Sequence, residues 1–176
     1  MIVAEMRHRP LPFVIALLLL AACGDGGEDG SGQERPDPEP TPTALPTAPF
    51  PTDAAVVIEP TEGDPVTLRV AIADTPEERT RGLMGVEEMP DDVGMVFLHE
   101  EPTESDFWMK DTLIPLSVAV WDESMTIRQI VDMEPCEEDP CPIYDITVAW
   151  EGALEVNQGV LDRSGVAVGD TLRLDS

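Results

Sequence analysis

The chain has 176 residues and a formal net charge of −26, with 36 acids against 10 Lys and Arg. Phosphates would repel so acidic a surface, which makes nucleic acid a poor partner and sets the protein against direct adhesion to anionic headgroups. The length suits a single ordinary domain plus an appendage, and an apolar share of 42% is enough for a core.

The first 22 residues follow the order of a secretory signal. Arg7 and Arg9 supply positive charge, Leu11 to Ala22 is almost wholly apolar despite Pro12, and small residues close the run. The apolar core is too short to cross a bilayer, which needs about 20 residues. The arginines are not adjacent, so no twin-arginine signal is present. Leu20-Ala21-Ala22-Cys23 resembles the lipobox of bacterial lipoproteins. The resemblance implies a signal peptide over 1–22, cleavage before Cys23, a diacylglycerol on its thiol and often acylation of the new amine. Several acyl chains hold a soluble domain on a membrane, whereas one binds marginally. Two other readings are an unmodified secretory signal and a plain membrane-anchoring helix. The lipoprotein reading places the protein at the cell membrane, lipid-anchored and facing outside the cytoplasm.

Residues 23–53 are rich in Gly, Pro, Thr and acids and nearly empty of large apolar side chains. Such a segment cannot bury enough surface to offset its ordering entropy, so a disordered linker is expected. Its prolines at alternate positions from Pro36 to Pro42 favour polyproline II. The reach is roughly 30 Å as a coil and up to about 90 Å if stiffly extended. That is a stalk, able to lift a domain clear of the headgroups.

Residues 54–176 read as one β-rich domain. VTLRVAIA puts Leu68, Val70 and Ile72 on one face, and GMVFLH follows a turn. IPLSVAVW aligns Leu116, Val118 and Val120, and Met125–Val131, Ile143–Trp150 and Thr171–Leu174 repeat the pattern. The period is two, the mark of strands with one buried face. Thr75, Pro76 and Glu78 form a capping-box signature, so a short helix is expected to end near Gly82 or Gly85. A second is expected after Asn157, capped by that residue, through Val160 and Leu161 to Gly165. The predicted fold class is mainly β: a β-sandwich or partly closed β-barrel of short strands with two short helices.

Cys136 and Cys141 remain once Cys23 is set aside, and an even pair in an exported domain points to a disulfide. The alternative is zinc, which needs about four ligands. His99 is the only histidine beyond the signal, and no further Cys or His pair supports a metal site. No metal or other cofactor is therefore expected. Lys110 is the sole lysine. Two readings of the Arg-over-Lys, acidic composition compete, high-GC coding and a salt-rich habitat, and the first is the preferred expectation.

The blocks ADTPEERTRGLMG, GMVFLHEEPTESDFWMKDTLIPLSVAVWD, CEEDPCPIY and EVNQGVLDRSGVAVGDTLRL occur in that order. Together they resemble the family called domain of unknown function 192, over about Thr67 to Leu174. Phe107-Trp108-Met109-Lys110, followed by Thr112 and Ile114-Pro115-Leu116, is the most specific part. The resemblance implies a small sandwich-like β domain, often exported, and no established activity. Asp111 stands where the family commonly has Asn, and Ser117 where Asp is common.

Alternation places Phe107 and Met109 on one face and Trp108 and Lys110 on the other. One reading is structural, with Trp108 covering a sheet edge and Lys110 paired with an acid. The other makes Trp108 a flat platform in a ligand cleft, with Lys110, Asp111 and Thr112 as polar hooks. Arg81 joins the candidate cleft. Arg79, two residues away, does not share its face, so one arginine is expected against the sheet and paired and the other solvated. Met84, Met95 and Met109 read as core filler.

No Gly-x-Ser-x-Gly, phosphate loop or supported Cys–His pair occurs, so no catalytic residue is assigned. Three functions follow. The first is a non-catalytic, membrane-anchored binding module for a small molecule, glycan or envelope partner. The second is a glycan hydrolase using paired carboxylates. The third is a structural or assembly accessory.

Overall fold

A computed structural model describes residues 48–175. The expected signal peptide, the lipidation site Cys23 and the linker up to residue 47 lie outside the described residues. In chain order the elements are β1 (Ala54–Glu59), β2 (Val66–Ala73), α1 (Pro76–Arg81), β3 (Val93–Thr103), β4 (Phe107–Trp108), β5 (Leu116–Trp121), β6 (Ile127–Met133), β7 (Ile143–Tyr144), β8 (Trp150–Asn157), α2 (Val160–Arg163) and β9 (Thr171–Asp175). Seven strands form one sheet in the order β6-β5-β8-β3-β2-β1-β9, and β4 pairs with β7 in a small second sheet. All neighbours are antiparallel except β2 and β3, which run parallel across the α1 connection.

The large sheet curls until its two edges meet at one end. Leu172 N donates to Met125 O, Ile127 N to Asp170 O and Gly169 N to Ile127 O. The result is a half-barrel, the partly closed alternative of the predicted class. Closing the end satisfies backbone groups that an open edge would expose. Asp170, in the closing Gly-Val-x-Val-Gly-Asp stretch, fixes this end. Its carboxylate accepts from Thr61 N, Thr61 Oγ1 and Ala167 N, each at 2.8 Å.

Both faces of the sheet are covered. Inside the curl lie Ile58, Val70, Val96, Trp121, Leu154 and Leu161. On the outer face Leu83, Phe97, Phe107, Met109, Met133 and Trp150 form a second core beneath the small sheet and its loops. This double burial corrects the expected strand at Ile143–Trp150. Only Ile143–Tyr144 is strand there, and β8 begins afresh at Trp150. Between them Asp106 Oδ1 accepts from Ile146 N, and Gln129 bonds Asp145 O and Thr147 N, so side chains replace the ladder. β8 is buried on both faces from Gly152 to Val156, which erases its alternation.

The α1 capping box forms as read, with Glu78 N donating to Thr75 Oγ1 and Thr75 N to Glu78 Oε2. Gly82, at φ 46°, ends the helix. Asn157 is not the cap of α2; Gly159 is. The Asn157 amide instead donates to Met89 O at 2.6 Å and Asp91 Oδ1 at 3.0 Å, tying β8 to the loop before β3. A side chain already bonded across the fold is not free to cap locally.

Candidate functional site

β3 leaves its ladder with β8 between Leu98 and Thr103, where the register shifts. The strand therefore swings away just where His99 sits, and such irregularities open sheets at functional sites. α1 stands on one side of the gap and β4 on the other. The cleft has a volume of about 440 Å³, with Arg79, Met84, His99, Asp106, Trp108 and Trp150 among its walls.

The aromatic rings interlock. Trp150 stacks on Phe107 at 5.5 Å with planes 27° apart, and Phe97 meets Phe107 edge-on at 6.0 Å. His99 abuts Trp150 at 4.9 Å, nearly perpendicular. Trp150 Nε1 donates to Ser105 O at 3.1 Å, which fixes the indole. Trp108 projects from this buried base and remains 51% exposed. The floor is thus rigid, and one large aromatic face is left open above it.

The polar groups of the cleft are few. Arg79 Nη1 donates to Leu98 O at 2.9 Å and to Asp74 O, which pins the guanidinium between α1 and β3. Burial, and then the positive charge of Arg79, hold the His99 imidazole below its ordinary pKa, so it is neutral at pH 7. Asp106 accepts from Ile146 N through Oδ1 alone. The arrangement offers an apolar platform, a fixed cation, a neutral imidazole and one carboxylate.

The residues singled out from sequence do not all gather here. Trp108 lines the cleft. Lys110 turns away, its Nζ 2.8 Å from Asp139 Oδ2 and 3.8 Å from Asp111 Oδ1. The hydrogen bond it donates to Asp139 raises the pKa of the ammonium. Asp111 is exposed at φ 54°, a left-handed position that Asn and Asp tolerate best. Thr112 is buried, and its carbonyl accepts from Cys136 N. Cys136 and Cys141 form a disulfide that shapes this loop around Lys110 and Asp139. Arg81 faces a separate groove on the other side of α1, of about 820 Å³, with Phe50, Asp53, Glu87 and Met95 among its walls. Ser117, which stands where the resemblance leads one to expect Asp, donates to Asp132 Oδ1 on the neighbouring strand and accepts from Gly159 N.

Sequence reasoning passed over Arg79, His99, Asp106 and Trp150 as members of one site. Helical phase separated Arg79 from Arg81 but did not say which one met the cleft. Of the two, Arg79 is the half-buried one, and it pairs with carbonyls rather than with an acid. Among the described residues, no group of three or more His, Cys, Asp or Glu side chains could hold a metal ion.

No curated protein matches the chain. Solved structures similar to it include the following two. One is a candidate transcription regulator from Sinorhizobium meliloti 1021, 32% identical, with a TM-score of 0.65 over 70% of this chain and 95% of that one. The other is a protein of unknown function from Novosphingobium aromaticivorans DSM 12444, 29% identical, with a TM-score of 0.62 over 68% and 83%. A family profile described as "Uncharacterized ACR" matches residues 57–174, from within β1 to within β9. The chain therefore belongs to the domain of unknown function 192 family.

Proposed function

We propose that this protein is a lipid-anchored extracytoplasmic binding module that holds a saccharide in the aromatic cleft without chemical turnover. The half-exposed Trp108, on a rigid base of Phe107 and Trp150, carries this reading. A flat aromatic face stacks well on the C–H face of a sugar ring, while nearby polar groups take its hydroxyls. The lipobox-like Leu-Ala-Ala-Cys and the disulfide support export, and the linker supplies the tether.

Glycan hydrolysis by paired carboxylates is less well supported, because Asp106 is the one carboxylate among the cleft's described walls. The S. meliloti relative's description as a transcription regulator transfers poorly. A chain of net charge −26 lacks the basic surface that binds DNA.

Two measurements test the proposal. Mass spectrometry of the membrane fraction is expected to find Cys23 as the acylated first residue, and Cys23→Ser to release the protein. Calorimetric titration of the full chain in detergent with a panel of wall and extracellular oligosaccharides is expected to find a ligand whose binding is lost in Trp108→Ala. Unaltered binding in that variant would move the site elsewhere.

A further inference from the structure

The cations of this protein are not treated alike. Arg69, Lys110, Arg128, Arg163 and Arg173 each meet a carboxylate within salt-bridge distance. Among the described residues Arg79 and Arg81 do not. In a chain with so large an excess of acids, an unneutralised guanidinium is unusual. Arg81 is exposed and faces the separate groove on the other side of α1, away from the aromatic cleft. Arg79 is half-buried in the aromatic cleft, and its Nη1 is committed to the carbonyls of Asp74 and Leu98.

Those two carbonyls orient the guanidinium without cancelling its charge. Nε and Nη2 donate to nothing among the described residues. A guanidinium presents its donors as a planar fork that matches a carboxylate in two parallel bonds. Its neighbour His99, whose pKa burial and the Arg79 charge both lower, meets Trp150 nearly perpendicular at 4.9 Å in the same cleft. A cation held this way, with free donors and lining the same cleft as an open indole face, is suited to receive an anion carried on a ring.

We infer that Arg79 makes the cleft selective for sugars bearing a carboxylate, with the pyranose ring stacked on Trp108 and the carboxylate on Arg79. The inference rests on the saccharide-binding reading and narrows it to a ligand class. Uronic acids and lactyl-ether sugars share this chemistry. A free carboxylate without a ring would lose the platform, and a neutral sugar would lose the charge-assisted bonds. Both groups contribute most when present on one ligand.

The test uses matched pairs on the full chain in detergent at low salt. One pair is the N-acetylglucosamine disaccharide and its N-acetylmuramic-acid-containing counterpart, which differ by the lactyl group. The other is cellobiose and cellobiouronic acid, which differ at C6. In at least one pair the acidic member is expected to bind tenfold or more tightly, with the preference shrinking as salt rises. Arg79→Gln is expected to abolish the preference and Arg79→Lys to keep part of it. Thermal unfolding of each variant reports whether the fold survives, and the wild-type comparison stands without any variant. Neutral sugars bound through Trp108 with no acidic preference would overturn this inference and leave the binding function standing. A preference that survives Arg79→Gln in a folded protein would also overturn it. Failure of every sugar to bind would overturn both.

Discussion

Trp150 and Trp108 stand 42 residues apart in sequence, yet they wall one cleft, one indole buried and the other half in solvent. Their burial separates a structural role from a ligand-facing one. Trp150→Ala removes a ring stacked on Phe107 and bonded to Ser105, and is expected to cost about 3–5 kcal/mol of stability. Trp108→Ala is expected to cost less than about 1 kcal/mol, since half of the residue already lies in solvent. Chemical denaturation of both variants checks the contrast. A large loss in Trp108→Ala would mean that its ring serves the core and not a ligand.

Glu155 gives the fold an unusual pH dependence. It lies at the centre of the sheet, opposite Met95 and Val118 on the neighbouring strands, and is 6% exposed. Burial pushes its carboxyl up to about 8 from an ordinary 4.5. The folded protein therefore holds a proton that the unfolded chain has released between those two values. Stability from this group is full below about pH 4.5 and falls as pH rises toward 8, by on the order of a few kcal/mol. His99 acts the other way, because its lowered pKa makes acidification below about 6.5 destabilising. Glu155→Gln keeps the shape and removes the proton equilibrium. The wild-type-minus-variant stability curve, in which His99 cancels, is expected to fall from pH 5 to 8. A flat difference would show that the carboxyl is ionised inside the fold.

Gly152 is required by its cross-strand partner Trp121. A Cβ there would lie 2.2 Å from Trp121 Cζ2 and 2.3 Å from Cε2. Gly152→Ala must displace a large, fully buried ring inside the curl, at about 1–3 kcal/mol. Urea unfolding measures this. Pairing it with Trp121→Phe is expected to recover part of the loss, because the smaller ring leaves room.

The disulfide closes a loop only five residues in separation. Replacing Cys136 and Cys141 together by Ser is expected to cost about 2 kcal/mol on loop entropy alone. The same change loosens the turn that presents Asp139 to Lys110 while leaving the aromatic cleft intact. Ligand binding that collapses in the double variant, at temperatures where it remains folded, would show that the two regions are coupled.

Some of this molecule was legible in the residues themselves. The capping box of α1, the half-buried strands and the even cysteine pair are local patterns, set by neighbours within a few positions. The motifs around Phe107–Lys110 and the closing Gly-Val-Ala-Val-Gly-Asp were enough to name the family. Alternation likewise separated the buried Phe107 and Met109 from the exposed Trp108. The strand from Trp150 is apolar on both faces and shows little alternation, and β5, expected to bury one face, is in fact buried on both. The partner of Lys110, the bonds of Asn157 and the choice of Arg79 over Arg81 were decided only when distant elements packed together. So was the cleft, whose walls come from positions 79, 99, 108 and 150. Periodicity states which side of an element is apolar. It does not state which other element covers that side, because that depends on the curl of the sheet and on where its strands leave the ladder.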